Sequence, residues 1–277
     1  MKALWMHLFV ALTVSVGCID DTQPPYVGQD DRDRDPALGV DDPSGVAEVP
    51  VEPVEAEPVE PEPEPVEPEP VEPEPVEPTT KVVLLLPGTS IAAEEFTTMY
   101  HRLLDDGFVP VVYEEPDMFT GSLAAGAAWV GDVVASLQDE FDVDQIDIVG
   151  QCDAGVVARY YATLLDGAPN VRHLVTLVAP HHGSQLSGVG SWITGWQALT
   201  DVRPGSAFLE TLNAAPLPSG LDMTSIYSCN DELMVPYTTS VVEGAANVEF
   251  CDRYVTHLSA FDDAQVTRAL ERCIDLL

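Results

Sequence analysis

The sequence predicts an α/β domain with a mostly parallel central sheet flanked by helices. Short apolar runs alternate along residues 80–277 with stretches of helical periodicity. Such alternation is typical of strand–helix–strand crossover units, which make neighbouring strands parallel. The first run, "KVVLLLPG" at 81–88, is apolar until it reaches Pro-Gly. It is therefore expected to be a strand that is buried on both faces.

The remaining elements follow in order along the same stretch. Further strands are predicted at 109–114, 146–149, 171–180, 223–229 and 248–250. Helices are predicted at 92–106, 123–140, 156–165 and 262–276. Residues 185–201 predict one more helix, either a plain cover over a pocket or a wall for an apolar substrate. Functional sites of such sheets lie at the carboxyl ends of the strands.

The first 18 residues, "MKALWMHLFVALTVSVGC", are typical of an export signal: one lysine, an apolar run and small residues before Cys18. The run is too short for a stable transmembrane helix. Residues 15–18 resemble a bacterial lipoprotein cleavage box, which predicts lipidation of Cys18 and a membrane anchor facing the periplasm or the cell surface. The alternative is an ordinary secretory signal and a secreted protein.

Residues 19–79 predict a disordered tether. They hold 15 of the 24 prolines and 20 of the 47 acidic residues, with only Arg32 and Arg34 as basic partners. Repeated prolines favour extended polyproline geometry, and like charges extend the chain further.

Residues 80–277 have the length of one domain and carry 27 acidic against 8 basic residues, a net charge of −19. This charge excludes nucleic acid as a partner, because the phosphates would be repelled. No Cys/His cluster in the sequence is typical of a zinc site, and no glycine-rich loop is typical of a phosphate site. The sequence thus predicts neither a metal nor a cofactor.

Three candidate catalytic residues follow predicted strands. Cys152 occupies a strand-to-helix turn, "GQCDAG" at 150–155, while Asp231 and His257 follow the last two strands. The order nucleophile, acid, histidine along the chain is that of the α/β-hydrolases.

Several segments together resemble the small bacterial lipases and esterases of the minimal α/β-hydrolase fold. They are "IDIVGQCDAGVVARYY" (146–161), "VTLVAPHHGS" (175–184), "PGSAFLETLN" (204–213), "SIYSCNDELMVPYTTS" (225–240) and "VTHLSAF" (255–261). The resemblance spans residues 81–277 and implies an ester hydrolase acting on a small-molecule or lipid ester. The sequence departs from the family at the nucleophile, where Cys152 replaces serine, and at Gln151 and Ala154, which replace histidine and glycine.

The resemblance implies a role for each of these positions. Cys152 would be the nucleophile, His257 the base and Asp231 its orienting acid, and the backbone amides of Thr89 and Asp153 would form the oxyanion hole. A helix N-terminus and a nearby histidine would lower the pKa of the thiol. The alternative is a catalytically silent hydrolase fold that serves as a binding module, with a packed cysteine at the turn.

Two further expectations concern the surroundings of the site. Trp192 and Trp196 are predicted to contact an apolar acyl group. Cys229 and Cys251 end strands that are neighbours in the family's fold, and an exported protein favours a disulfide between them. Cys273, on the final helix, is expected to be a buried thiol.

Overall fold

A computed structural model describes residues 80–274 of the chain. Six strands form one sheet in the order β2-β1-β3-β4-β5-β6, and every neighbouring pair is parallel. The strands are β1 (Val82–Leu86), β2 (Val109–Val112), β3 (Ile146–Gln151), β4 (Val171–Leu177), β5 (Asp222–Ser228) and β6 (Ala246–Phe250). The predicted α/β class is confirmed, and the described sheet is parallel throughout.

Helices cover both faces of the sheet. The described helices are α1 (Thr97–Asp105), α2 (Leu123–Phe141), α3 (Asp153–Leu164), α4 (Ser187–Thr194), α5 (Gln197–Asp201), α6 (Ala207–Ala214) and α7 (Ala264–Ile274). Helices α2 and α3 share one apolar cluster with the sheet, and α1 and α7 share the other. The sheet is thus the middle layer of three.

Strand β1 shows why its sequence is apolar at every position. Val82, Leu84 and Leu86 point into the cluster with α2 and α3, while Val83 and Leu85 point into the cluster with α1 and α7. Successive side chains of a strand alternate between its faces, so a strand covered on both sides needs apolar residues at both. All five are fully buried. Burying each such side chain stabilises the folded state by about 1.5–3 kcal/mol.

Several predicted elements differ from the structure at their ends: α1 follows a 3₁₀ turn at Ala93–Phe96, and β4 ends at Leu177. Helix α6 was not predicted, and two further differences lie near the strand-to-helix turn and in residues 185–201. Helix α3 begins at Asp153, three residues before its predicted start, so that β3 and the helix are separated by Cys152 alone. Residues 185–201 form α4 and α5 instead of one helix, because the chain turns at Gly195, where φ is +71°. A positive φ is readily adopted by glycine and ends a helix.

The predicted export signal, Cys18 and the Pro/Glu-rich tether lie outside the described residues. Among residues 80–274, no helix has both the length and the apolar character needed to cross a bilayer.

Candidate active site

Cys152 lies at a sharp turn between β3 and α3. Its backbone has φ +53° and ψ −131°. Residues other than glycine adopt this combination only under strain. Because a single residue joins the strand to the helix, its side chain sits at the carboxyl edge of the sheet and at the helix N-terminus. The structure therefore places Cys152 at the tip of a strand-to-helix elbow.

Two glycines make this turn possible through close backbone contact. A Cβ on Gly150 would lie 2.7 Å from the backbone N of Gly155, and one on Gly155 would lie 2.8 Å from the carbonyl oxygen of Gly150. No side chain fits in either place. The glycine that packs against the strand is thus Gly155, and this explains why the sequence retains a glycine there while Ala154 is tolerated.

Gln151 fastens the loop after β1 to the elbow. Its side-chain oxygen accepts a hydrogen bond of 3.1 Å from the backbone N–H of Gly88, and the glutamine is fully buried. A Cβ on Gly88 would lie 2.6 Å from the Cβ of Cys152. Gln151 therefore has a structural role, which sequence reasoning missed.

Asp231 and His257 form the buried pair that the sequence predicted. His257 Nδ1 lies 2.8 Å from Asp231 Oδ2, and both side chains are almost inaccessible. Asp231 Oδ1 accepts hydrogen bonds from the backbone N–H groups of Leu233 (2.8 Å) and Met234 (2.9 Å). The carboxylate is thereby fixed, and it favours the tautomer with the proton on Nδ1 and a free Nε2.

The exposed residue Glu232 adds a contact that the sequence did not predict. Its carboxylate accepts a 3.0 Å hydrogen bond from the backbone N–H of His257. Loops after β5 and β6 are thus joined at two adjacent points.

The thiol of Cys152 is held in its protonated form. Burial raises its pKa well above the usual value. A negative charge on Asp153 would raise this pKa further, the charge of Asp231 also raises it, and the backbone amide of Asp153 lowers it. The residue is partly accessible, although protein atoms surround its sulfur. The predicted lowering of this pKa is wrong, because burial of the thiol, together with the nearby carboxyl groups, outweighs the helix N-terminus.

Asp153 is the polar partner of the thiol. Cys152 Sγ donates to its Oδ1 at 3.7 Å, and within residues 80–274 no hydrogen bond joins Sγ to His257. The carboxyl is 2% exposed. Burial raises the pKa of Asp153, although the Thr89 hydroxyl, His257 and the thiol each act in the opposite direction.

The loop after β1 brings Thr89 to the elbow. Thr89 Oγ1 lies 2.7 Å from Asp153 Oδ2 and 3.0 Å from the backbone oxygen of Phe119. The two residues expected to supply the oxyanion amides are thus joined through their side chains.

A disulfide joins Cys229 and Cys251, as the sequence predicted, with their Cα atoms 5.3 Å apart. It connects the ends of β5 and β6, from which the loops to Asp231 and His257 leave. Cys273 is a free, half-buried thiol on α7 that donates to the backbone oxygen of Ala269.

The two tryptophans differ in their surroundings. Trp192 is 86% exposed on α4, and Trp196 is half-buried between α4 and α5. Leu186, Val189 and Ile193 are also exposed on this segment. Contact of either tryptophan with a substrate stays a prediction.

The polar groups of the described residues offer no group of three or more His, Cys, Asp or Glu side chains able to hold a metal ion. His181, from the "HHGS" segment, is buried with Nε2 at 3.0 Å from Thr176 Oγ1, and burial holds its pKa well below the usual value. It packs as a neutral side chain.

Solved structures share this architecture. The domain is similar to the mature lipase BlEst2 of Bacillus licheniformis, with a TM-score of 0.59 and 12% identity over 72% of this chain and 93% of that one. The domain has the α/β-hydrolase fold. The fold is also similar to that of Aspergillus fumigatus lipase B, with a TM-score of 0.58 and 15% identity over 66% of this chain and 49% of that one. For the metagenomic carboxyl esterase MGS0156, the TM-score is 0.56 and the identity 16%, over 67% of this chain and 67% of that one.

These identities are low, and they establish the hydrolase fold alone. No known sequence family and no curated protein matches the chain. The predicted resemblance to bacterial lipases and esterases is confirmed at the level of the fold.

Proposed function

We propose that the domain is a carboxylic-ester hydrolase in which Cys152, His257 and Asp231 form a catalytic triad. The observation that carries the proposal is the buried Asp231–His257 pair, which lies at the same edge of the sheet as the strained Cys152 elbow. A hydrolase fold whose structural neighbours include lipases and an esterase supports the same class of reaction.

Acylation would start at the ester carbonyl. The thiol turns from Asp153 to His257, whose Nε2 takes the proton, and the sulfur forms a bond to the carbonyl carbon. The amides of Thr89 and Asp153 stabilise the oxyanion. The imidazolium then gives its proton to the leaving alkoxide, so that an alcohol departs and a thioester remains on Cys152.

Deacylation would use the same histidine. His257 removes a proton from a water molecule, the resulting hydroxide attacks the thioester, and the C–S bond breaks. The proton returns to the sulfur, and the acid leaves. One ester and one water thus yield one acid and one alcohol. The apolar side chains of α4, with Trp192 and Trp196, favour a small-molecule or lipid ester with an apolar acyl group.

A second candidate is a catalytically silent hydrolase fold that binds a partner. The raised pKa of Cys152 favours it, because a thiol is a far weaker nucleophile than a thiolate.

Hydrolysis of a short-chain p-nitrophenyl ester separates the two candidates. The full chain would be compared with Cys152→Ala and Cys152→Ser, each checked for folding by circular dichroism. Turnover that is lost in the alanine variant supports the thiol mechanism. An inert native protein that gains activity with serine supports the silent fold, and three inert, folded proteins argue against a hydrolase.

We also propose that the chain is exported and carried on a lipid at Cys18, with residues 19–79 as a spacer. The support is the order of an apolar signal, a cysteine and a Pro/Glu-rich stretch in the sequence. In a bacterial host, the native chain should fractionate with membranes and incorporate labelled fatty acid. Cys18→Ser should do neither, and a native chain found only in the soluble fraction would contradict the anchor.

A further inference from the structure

We propose that Asp153 carries a proton in the resting protein, and that this neutral carboxyl is the form in which the thiol can react. The reactivity part rests on the proposed ester hydrolysis, whereas the protonation itself does not.

Thr89 has one hydroxyl proton and two oxygen atoms within hydrogen-bond distance. Its hydroxyl oxygen is 2.7 Å from Asp153 Oδ2 and 3.0 Å from the Phe119 carbonyl oxygen. A hydroxyl has one proton to donate, a carbonyl only accepts, and an ionised carboxylate only accepts. With Asp153 ionised, one proton would have to be shared between two acceptors.

A proton on Asp153 Oδ2 resolves the shortage. The carboxyl then donates to Thr89 Oγ1, and the Thr89 proton is free to go to Phe119. The second carboxyl oxygen, Oδ1, accepts from the thiol of Cys152 at 3.7 Å. Each hydrogen bond in this chain of contacts then joins one donor to one acceptor.

The surroundings favour the neutral form as well. Asp153 is 2% exposed and is faced by Cys152 from the elbow, Thr89 from the loop after β1, His257 from the loop after β6 and Asp201 from the end of α5. No arginine or lysine of residues 80–274 makes a salt bridge with it. Burial raises its pKa, so the proton is retained above the usual range of an aspartate.

Ionisation would place a negative charge beside both groups that become negative during the reaction. The thiolate forms next to Asp153 Oδ1, and the oxyanion is to be stabilised by the amide of the same residue. Like charges a few ångströms apart disfavour each other. Ionised Asp153 should therefore make the thiol less reactive than it is in Asp153→Asn at the same pH, by about tenfold.

The first measurement is infrared difference spectroscopy of the full chain between acidic and alkaline pH. A carbonyl band of a protonated carboxylic acid should persist above the usual range of aspartate, disappear in Asp153→Asn and remain in the matched control Asp201→Asn. If the native protein shows no such band at a pH above the usual titration range of aspartate, the proposal is overturned, whatever the variants show.

The second measurement is the rate at which iodoacetamide alkylates Cys152, with Cys152→Ala to subtract Cys273. Native protein and Asp153→Asn should react at similar rates at low pH and diverge by about tenfold as Asp153 ionises, with the asparagine variant faster. If the ratio of the alkylation rate of Asp153→Asn to that of native protein does not change with pH, the proposal is overturned.

Neither readout needs ester turnover, so the two proposals fail separately. A persistent acid band in a protein that cleaves no ester supports the protonation and contradicts the hydrolase. Ester cleavage with the same pH profile in native protein and Asp153→Asn supports the hydrolase and overturns the role of Asp153.

Discussion

Residues 80–274 contain two buried Asp–His pairs of equal length at opposite ends of the sheet. At the amino ends of β3 and β4, His173 Nδ1 lies 2.8 Å from Asp147 Oδ1. At the carboxyl ends of β5 and β6, His257 Nδ1 lies 2.8 Å from Asp231 Oδ2. The length of the Asp–His hydrogen bond therefore does not distinguish the two pairs.

The remaining contacts of the two pairs differ. Asp147 also binds the guanidinium of Arg172, and His173 Nε2 lies 3.7 Å from Asp222. These contacts lie at an irregularity in the pairing of β3 with β4, where two residues of β4 are opposite Asp147. His257 Nε2 has no hydrogen bond within residues 80–274. In the proposed mechanism, this nitrogen takes the proton of the thiol.

The largest expected effect comes from Asp231→Asn. The amide cannot hold the reactive tautomer of His257, so kcat for a p-nitrophenyl ester should fall by about 10⁴-fold while the fold is retained. Steady-state kinetics and circular dichroism measure both quantities. A decrease of less than tenfold would show that the pair at the carboxyl edge is as structural as the other.

Asp147→Ala should have the opposite profile. It leaves Arg172 and His173 without their buried carboxylate and should lower the free energy of unfolding by about 3–5 kcal/mol. Urea denaturation measures the loss. At a temperature where the variant is folded, ester turnover should remain within about twofold of native; a large decrease in turnover would contradict the distinction.

Asp153 should make stability depend on pH. Its pKa is raised in the folded chain, so its neutral form stabilises the protein below the unfolded pKa, and this contribution is lost as the pH rises through the folded pKa. The free energy of unfolding should fall by at most about 1.4 kcal/mol per pH unit within that window. Asp153→Asn should remove this slope, and an unchanged slope would count against a raised pKa.

Glu232→Gln should give the smallest effect. The amide oxygen still accepts from the His257 backbone N–H, so only the charge of the acceptor is lost. We expect kcat to fall by about two- to fivefold with no change in KM. Glu243→Gln, an exposed carboxylate on the loop before β6, is the matched control and should leave kcat as in native protein.

Apolar runs and turns were sufficient to predict the fold. The continuous apolar character of β1 and the alternation of strands with helices follow from burial on both faces, which any parallel sheet requires. The places of Cys152, Asp231 and His257 followed from their positions after strands. The start of α3 did not, because the elbow leaves one residue between strand and helix, and residues 153–155 carry no apolar periodicity.

The electrostatics of the site could not be predicted in the same way. The thiol pKa depends most on how deeply the sulfur is buried, which the local sequence does not encode. The neighbouring Asp153 is visible in the sequence as a group that opposes ionisation of the thiol, whereas the effect of the distant Asp231 is not. His173 had no identifiable partner in the sequence, since Asp147 lies 26 residues earlier and meets it only across the sheet. The contact of Gln151 with Gly88 likewise joins residues 63 positions apart.

The disulfide has a consequence for the motions of the site. Cys229 and Cys251 close a loop with a sequence separation of 22. By lowering the entropy of the unfolded chain, this disulfide contributes about 3 kcal/mol to the free energy of unfolding. The loops that carry Asp231 and His257 leave from its two ends, and Glu232 joins them again. Acid and histidine therefore belong to one cooperative unit of opening, whose amides should exchange with solvent together.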